Sequence, residues 1–187
     1  ELHCMPEHFD VLIVGAGISG IGSAWHLSQH CPNKSFAILE GRDEIGGTWD
    51  LFRYPGIRSD SDMYTLGYNF KPWLQNQVIV NGGQIRNYIQ EAAVEGGFQN
   101  KIHFGRKVVS ASWSSETATW TLDVLNKSGE IQQMSCNWLM MCSGYYNFQQ
   151  GYTPEFKRRE DFKGQIIHPQ FWPEKLDYTG KRIVVIG

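Results

Sequence analysis

No apolar run in this chain approaches the roughly 20 residues that a bilayer-spanning helix requires. Nor does a basic stretch followed by an apolar one open the sequence, so no secretory signal is read there. Met5 reads as a start, because Glu1 to Cys4 add nothing to the strand that follows. Cysteine is sparse: Cys4, Cys31, Cys136 and Cys142 form no C-x-x-C pair, and no histidine stands at zinc-like spacing beside two of them. That excludes a structural metal of the usual kind and a disulfide framework, and it points to a reducing, cytoplasmic setting. A redox C-x4-C pair is also missing, which disfavours disulfide-reductase chemistry. Charge excess is absent too. The net charge of −2 leaves no footprint for nucleic acid or an anionic membrane. The basic run Lys157-Arg158-Arg159 is offset by Glu160 and Asp161 and reads as a solvated face.

What remains is an ordinary globular composition, 41% hydrophobic and 19% charged over 187 residues, with 20 glycines clustered in patterned loops. Phe9 to Val14 is a short β-branched run ending in glycine, the pattern of a buried parallel strand. Ile18 to His30 carries apolar residues at near-helical spacing and is stopped by Pro32. Phe36 to Glu40 is a second buried strand, completing a right-handed βαβ unit. Gly41 to Gln77 is irregular and rich in Gly, Asp, Arg, Tyr and Trp, which marks it as functional. A helix over Gln84 to Glu95 ends at Gly96-Gly97. Lys101–Phe104, Val108–Trp113, Thr119–Val124 and Ile131–Met134 alternate as a small antiparallel β-meander turning at Lys127-Ser128-Gly129. Trp138 to Cys142 reads as another buried strand, with an inert thiol at its end. Lys181 to Gly187 repeats the basic-apolar-glycine opening of the first unit and reads as the start of a second.

Gly15-Ala16-Gly17-Ile18-Ser19-Gly20 fits G-x-G-x-x-G between that first strand and helix. Gly15 permits the tight turn, Gly17 lets backbone approach a diphosphate, and Gly20 lets helix pack closely on strand. Glu40, about 20 residues on at a strand end, is placed to accept from adenosine ribose hydroxyls and to repel a 2′-phosphate. FAD or NAD therefore suits this unit better than NADP. The sequel Gly41 to Trp49, an acid followed by Gly46-Gly47, resembles FAD proteins of the glutathione-reductase type, which favours FAD. The expected fold is α/β: a Rossmann-type, glutathione-reductase-like parallel sheet with the small antiparallel meander attached.

Two further segments carry a resemblance. Phe162 to Pro173 matches F-x-G-x-x-x-H-x-x-x-W-P, and Arg53 to Asp60 matches R-Y-P-G-x-x-x-D. Together they resemble the type I Baeyer–Villiger and flavin-containing monooxygenase family, with Trp172-Pro173 favouring the Baeyer–Villiger branch. Gly46 to Trp73 is most similar to its ethionamide-activating members. The resemblance implies an FAD-binding domain over 5–160, an interdomain linker over 161–180, and the first strand of an NADPH-binding domain over 181–187. It implies that NADPH reduces FAD, that O2 yields a C4a-peroxyflavin, and that a ketone or a thioether sulfur is oxygenated. Gly15, Gly17, Ser19, Gly20 and Glu40 would hold the ADP half of FAD. Thr48 and Trp49 would lie near the ribityl and flavin rings, and Val108 would meet the adenine. Asp60 would pair with an active-site arginine near the flavin, and Arg58, Ser59 and Asp60 would border the nicotinamide path. In bland terms, Asp60 is a loop cap and Trp49 a core aromatic. His168 and Trp172 are expected as linker residues that also pack structurally. Without the NADPH site and that arginine, these residues are expected to show no turnover alone, and their uncovered surfaces to favour self-association. Rival readings are a sulfur- or nitrogen-oxygenating flavin monooxygenase and a non-catalytic FAD-binding module.

Overall fold

The computed structural model describes residues 6–186. Its centre is a six-stranded sheet in the order β3-β2-β1-β6-β5-β4. Strand β1 (Glu7–Val14) leads through helix α1 (Ile18–His30) to β2 (Phe36–Glu40), and these two strands pair in parallel. Two one-turn helices follow, α2 (Thr48–Leu51) and α3 (Met63–Leu66), then the longer α4 (Gly82–Glu95). Strand β3 (Ile102–Phe104) adds in parallel to β2 at one edge, so the first strand expected in the antiparallel meander belongs instead to the parallel part of the sheet. The meander β4 (Lys107–Ser114), β5 (Thr119–Leu125) and β6 (Ile131–Met141) is antiparallel, and β6 returns parallel to β1.

The central strands are apolar on both faces because both faces are covered. Val11, Ile13 and Ile38 pack under Ile21 and Ala24 of α1 and under Ile85, Ile89 and Ala92 of α4. On the opposite face Leu12 and Leu39 meet Leu122, Val124, Met134 and Cys136 of the meander. Helix α4 starts at a capping box: Asn81 Oδ1 accepts from the Gln84 amide at 2.9 Å, and Gln84 Oε1 accepts from the Asn81 amide at 3.3 Å. The irregular loop before it is held by aromatic stacking of Trp25 on Phe70 (3.9 Å) and Phe70 on Tyr68 (4.6 Å). The Tyr68 hydroxyl donates to the Ile18 carbonyl at 2.6 Å, which ties this loop to the start of α1.

Three further expectations need correcting. Ile131–Met134 and Trp138–Cys142 are not two strands but one, β6, eleven residues long. The polar residues between them fooled the periodicity. Ser135 and Asn137 both engage His8 on the neighbouring β1, at 2.9 and 3.1 Å, so their polarity is satisfied inside the sheet. Nor is the second half buried as expected, since Trp138 is 65% exposed. Helices α1 and α4 pack over β1 and β2 and leave Trp138 on β6 mostly uncovered. Third, Lys181–Ile186 forms no strand, and Val184 and Val185 are exposed. A strand exists only by pairing, and this segment has no neighbour among the described residues; Gly187 lies outside them. Among the described residues no helix is long and apolar enough to cross a membrane.

Asp10 links β1 to the entry of β2. Its carboxylate accepts from the Ser35 amide and hydroxyl, both at 2.8 Å, and pairs with Lys34 at 3.0 Å. The Ser35 amide first, then Lys34, hold its pKa at about 2, below the ordinary 3.8. A carboxyl whose folded pKa is depressed lends stability above its unfolded value and loses it as pH falls through the folded one. Asp10→Asn is therefore expected to flatten the loss of stability between pH 3.8 and about 2, read as urea midpoints across that window.

Candidate cofactor site

A cleft of about 770 Å³ opens at the carboxyl ends of β1, β2 and β6. This is where parallel α/β sheets place ligands, beyond the strand ends where connections diverge. The β1–α1 turn supplies Gly15, Gly17 and Ser19, and the end of β2 supplies Glu40 and Arg42. Gly46 to Trp49 closes one side, Arg106 to Val108 another, and Cys142 to Gln149 the far wall.

The floor is built from backbone. Gly15 adopts φ +104°, and its amide donates to the Leu39 carbonyl at 2.9 Å. Any Cβ there would stand 2.5 Å from the Cys142 carbonyl oxygen, so only glycine fits between β1 and β6. Gly17, the N-cap of α1, makes no side-chain cap, which leaves the first helical amides free to face an anion. Gly47, at φ +55°, presses against it: a Cβ on Gly47 would lie 3.1 Å from the Gly17 Cα. Two glycine-lined loops thus meet backbone to backbone, forming a cradle that side chains would fill. The Gly46 amide donates to the Ala16 carbonyl at 3.0 Å and locks them together.

Glu40 is 8% exposed and sits at the mouth of this cradle. Its Oε2 accepts from the Ala16 amide at 2.8 Å and its Oε1 from the Arg42 amide at 2.9 Å. Each oxygen keeps a lone pair for a donor in the cleft. Helix α2 carries Asp50, 1% exposed, which pairs with Arg42 at 2.6 Å, Arg53 at 2.7 Å and Arg86 at 3.2 Å. This buried carboxylate collects guanidiniums from three separate elements behind the Gly46-Gly47 loop. Losing it would leave three cations clustered, although each is 30–52% exposed and can turn to water. Asp50→Ala is accordingly expected to cost about 2–3 kcal/mol, less than a wholly buried pair. Urea denaturation checks this, with Asp50→Asn expected between the two.

Of the residues singled out from sequence, Gly15, Gly17, Ser19, Glu40, Thr48, Trp49 and Val108 do line the cleft. Gly20 does not; it is buried in α1, against the Gly15 carbonyl. Arg58, Ser59 and Asp60 are also off the cleft wall. The Ser59 amide donates to the Val80 carbonyl and its hydroxyl to the Ser61 carbonyl, while Arg58 and Asp60 are exposed. The cap in this loop is Asp62, whose Oδ1 accepts from the Thr65 amide at 3.0 Å at the start of α3. Cys142, expected as a buried thiol, is half-buried and forms part of the cleft wall. His168 accepts from the Gln170 amide at 3.2 Å and packs against Gly151, where a Cβ would fall 2.1 Å from its ring. Trp172 meets Tyr178 edge-on at 6.0 Å. Sequence reasoning missed Arg42, Asp50, Arg106 and the wall from Tyr145 to Gln149. Only the Ser143-Gly144 break after an apolar run hinted at that wall.

Comparison with known proteins agrees with this geometry. Residues 13–75 match the NAD(P)-binding Rossmann-like domain family. The chain is 60% identical to the FAD-containing monooxygenase EthA of Mycolicibacterium smegmatis, over 98% of its own length and 37% of that protein's. It is 55% identical to the probable FAD-binding monooxygenase AlmA of an Acinetobacter species, with the same coverage. It therefore spans 37% of the length of these curated relatives. Among solved structures it superimposes on an oxidized steroid monooxygenase bound to NADP with a TM-score of 0.76, at 27% identity, over 92% of this chain and 33% of that one. It matches OTEMO in complex with FAD and NADP at a TM-score of 0.75 and 26% identity, over 93% and 33%. In sequence and in fold, this chain is similar to part of the FAD-containing monooxygenases.

Proposed function

We propose that these residues form the FAD-holding part of an NADPH-dependent monooxygenase that oxygenates ketones or thioethers with O2. The single observation that carries the FAD reading is the bond from the Ala16 amide to Glu40 Oε2, at 2.8 Å. It sets a carboxylate at the mouth of an amide-lined glycine turn, so one cleft offers donors for a diphosphate and an acceptor for ribose hydroxyls. The Gly17–Gly47 contact keeps side chains out of the cleft floor so that backbone faces the ligand, and a cleft of about 770 Å³ offers volume for a dinucleotide.

Gly15, Gly17 and Ser19 would bind the diphosphate through backbone amides, and Glu40 would orient the adenosine. Thr48 and Trp49 would flank the ribityl and flavin end, and Val108 the adenine. When bound, FAD supplies the redox chemistry with NADPH and O2; the role of these residues is to hold it and exclude water. Asp60, Arg58 and Ser59 are proposed to act from the neighbouring loop, Asp60 as partner to an arginine beside the flavin. The fold homologies named above support this reading through proteins that carry FAD and NADP.

Titrating the 187-residue chain with FAD, followed by the visible flavin spectrum, is expected to show saturable one-to-one binding. A well-folded sample with no affinity would overturn the proposal. The same chain loaded with FAD is expected to show no sustained NADPH oxidation, since its one glycine fingerprint is occupied by the flavin nucleotide. Steady FAD-dependent NADPH consumption would contradict that division of labour. For the whole protein, NADPH and O2 consumption with a ketone, then a thioether, tests the substrate class.

A further inference from the structure

Arg42 leaves the end of β2 on one wall of the cleft, and Phe148 stands on the opposite wall, beyond β6. The Arg42 guanidinium lies 5.6 Å from the centroid of the Phe148 ring, within cation–π range. Each partner is braced from behind. Arg42 pairs with buried Asp50 at 2.6 Å and reaches the Gly47 carbonyl at 3.4 Å. Phe148 follows Asn147, whose carbonyl accepts from Gln170 Nε2 at 2.8 Å. Gln170 is itself 7% exposed and lies inside the F-x-G-x-x-x-H-x-x-x-W-P segment, two residues after His168.

We propose that Arg42 and Phe148 form a clasp across the cleft that slows escape of the bound dinucleotide, and that Gln170 ties this clasp to the motif segment. The proposal rests on the FAD reading above. Its location follows from the Arg42 amide, which donates to Glu40 Oε1 at 2.9 Å. The guanidinium therefore rises from the same turn that presents the ribose-binding carboxylate, and the clasp spans the adenosine side. Arginine suits the task because its planar fork can donate to a carboxylate while stacking on a ring, which a lysine cannot do at once. Asp50 thereby acts as a positioning residue for Arg42, and Gln170 as one for Phe148.

A clasp acts on escape more than on entry, so the diagnostic is a rate and not an affinity alone. FAD-loaded chain, mixed with excess competing apoflavoprotein, reports release through the change in flavin fluorescence. Phe148→Leu and Arg42→Ala are each expected to speed release by about tenfold, with association changed by less than about twofold. The double variant should release no faster than the quicker single variant, because each change removes the same contact. Phe148→Tyr keeps the ring and should release at the parent rate, which separates the clasp from a general loss of packing. Gln170→Ala should speed release by a smaller factor, about threefold, without touching the cleft itself. If the parent binds FAD but Phe148→Leu releases it at the parent rate, or the two single effects multiply, the clasp is overturned and the FAD reading stands. If the parent fails to bind FAD, both fall together. Should Arg42→Ala not fold, the Phe148→Leu and Phe148→Tyr pair decides alone.

Discussion

Gly17→Asp is expected to leave the chain folded, or slightly more stable, while FAD affinity falls on the order of a thousandfold. The two effects have opposite signs because they draw on the same amides. Gly17 sits at φ −80°, ψ −172°, extended backbone open to any residue, and a Cβ there would lie 3.6 Å from the Gly47 Cα, an ordinary contact. Aspartate is among the best helix N-caps, and α1 has no side-chain cap, so its carboxylate can accept from the first-turn amides for about 0.3 kcal/mol over glycine. Those are the amides a diphosphate requires. The new charge also faces an anion: at about 4 Å and an effective dielectric near 20, like charges repel by about 4 kcal/mol. At about 1.4 kcal/mol per decade this is roughly three orders of magnitude in Kd. Flavin absorption titrations and thermal melts on one sample measure both signs. Retained tight binding with a raised melting temperature would remove the glycine turn from the proposed site.

Gly20→Ala should fail in the opposite manner, through the fold. In most helices that change stabilises by about 1 kcal/mol. In α1 a Cβ at position 20 would fall 1.9 Å from the Gly15 carbonyl oxygen and 3.5 Å from Ile13 Cγ2. The atom in the way is backbone of the β1–α1 turn, so no rotamer relieves it. Helix α1 would have to back away from β1, opening the contact between Ile21, Ala24 and Ile13. The expected cost is about 3 kcal/mol, at the upper end for overpacking. A urea midpoint lowered with an unchanged m-value would confirm it, while an unchanged or raised midpoint would show that the turn yields. The fingerprint's glycines thus divide: Gly15 and Gly20 close the turn, and Gly17 is the one proposed to serve the ligand.

Much of the first βαβ unit could be read from residue order because its signals are local. The run Phe36 to Glu40 forms β2, and Ile18 to His30 forms α1, because β-branched density and helical spacing act over a few residues. The reach from Gly15 to Glu40 was also legible, since a strand, a turn and a helix of that length return a chain to a neighbouring strand end. Elsewhere local polarity misled. Ser135 and Asn137 look like a break, yet β6 runs through them because His8 waits on β1 to take both. Asp62 rather than Asp60 caps the loop, a choice set by where α3 begins.

Residue order by itself determined the strand–turn–helix of the glycine turn, and the acid set beside it. Both depend on spacing along the chain, which covalent geometry turns directly into position. Only the tertiary structure decided what faces them. Strand β6 lies beside β1 across more than a hundred residues of sequence, and so Cys142 to Gln149 becomes the far wall. Asp50 gathers Arg42, Arg53 and Arg86 the same way, from elements that meet only when the sheet and α4 have packed. Contacts between distant segments are chosen by which apolar faces can be buried together, and no short window of residues carries that information.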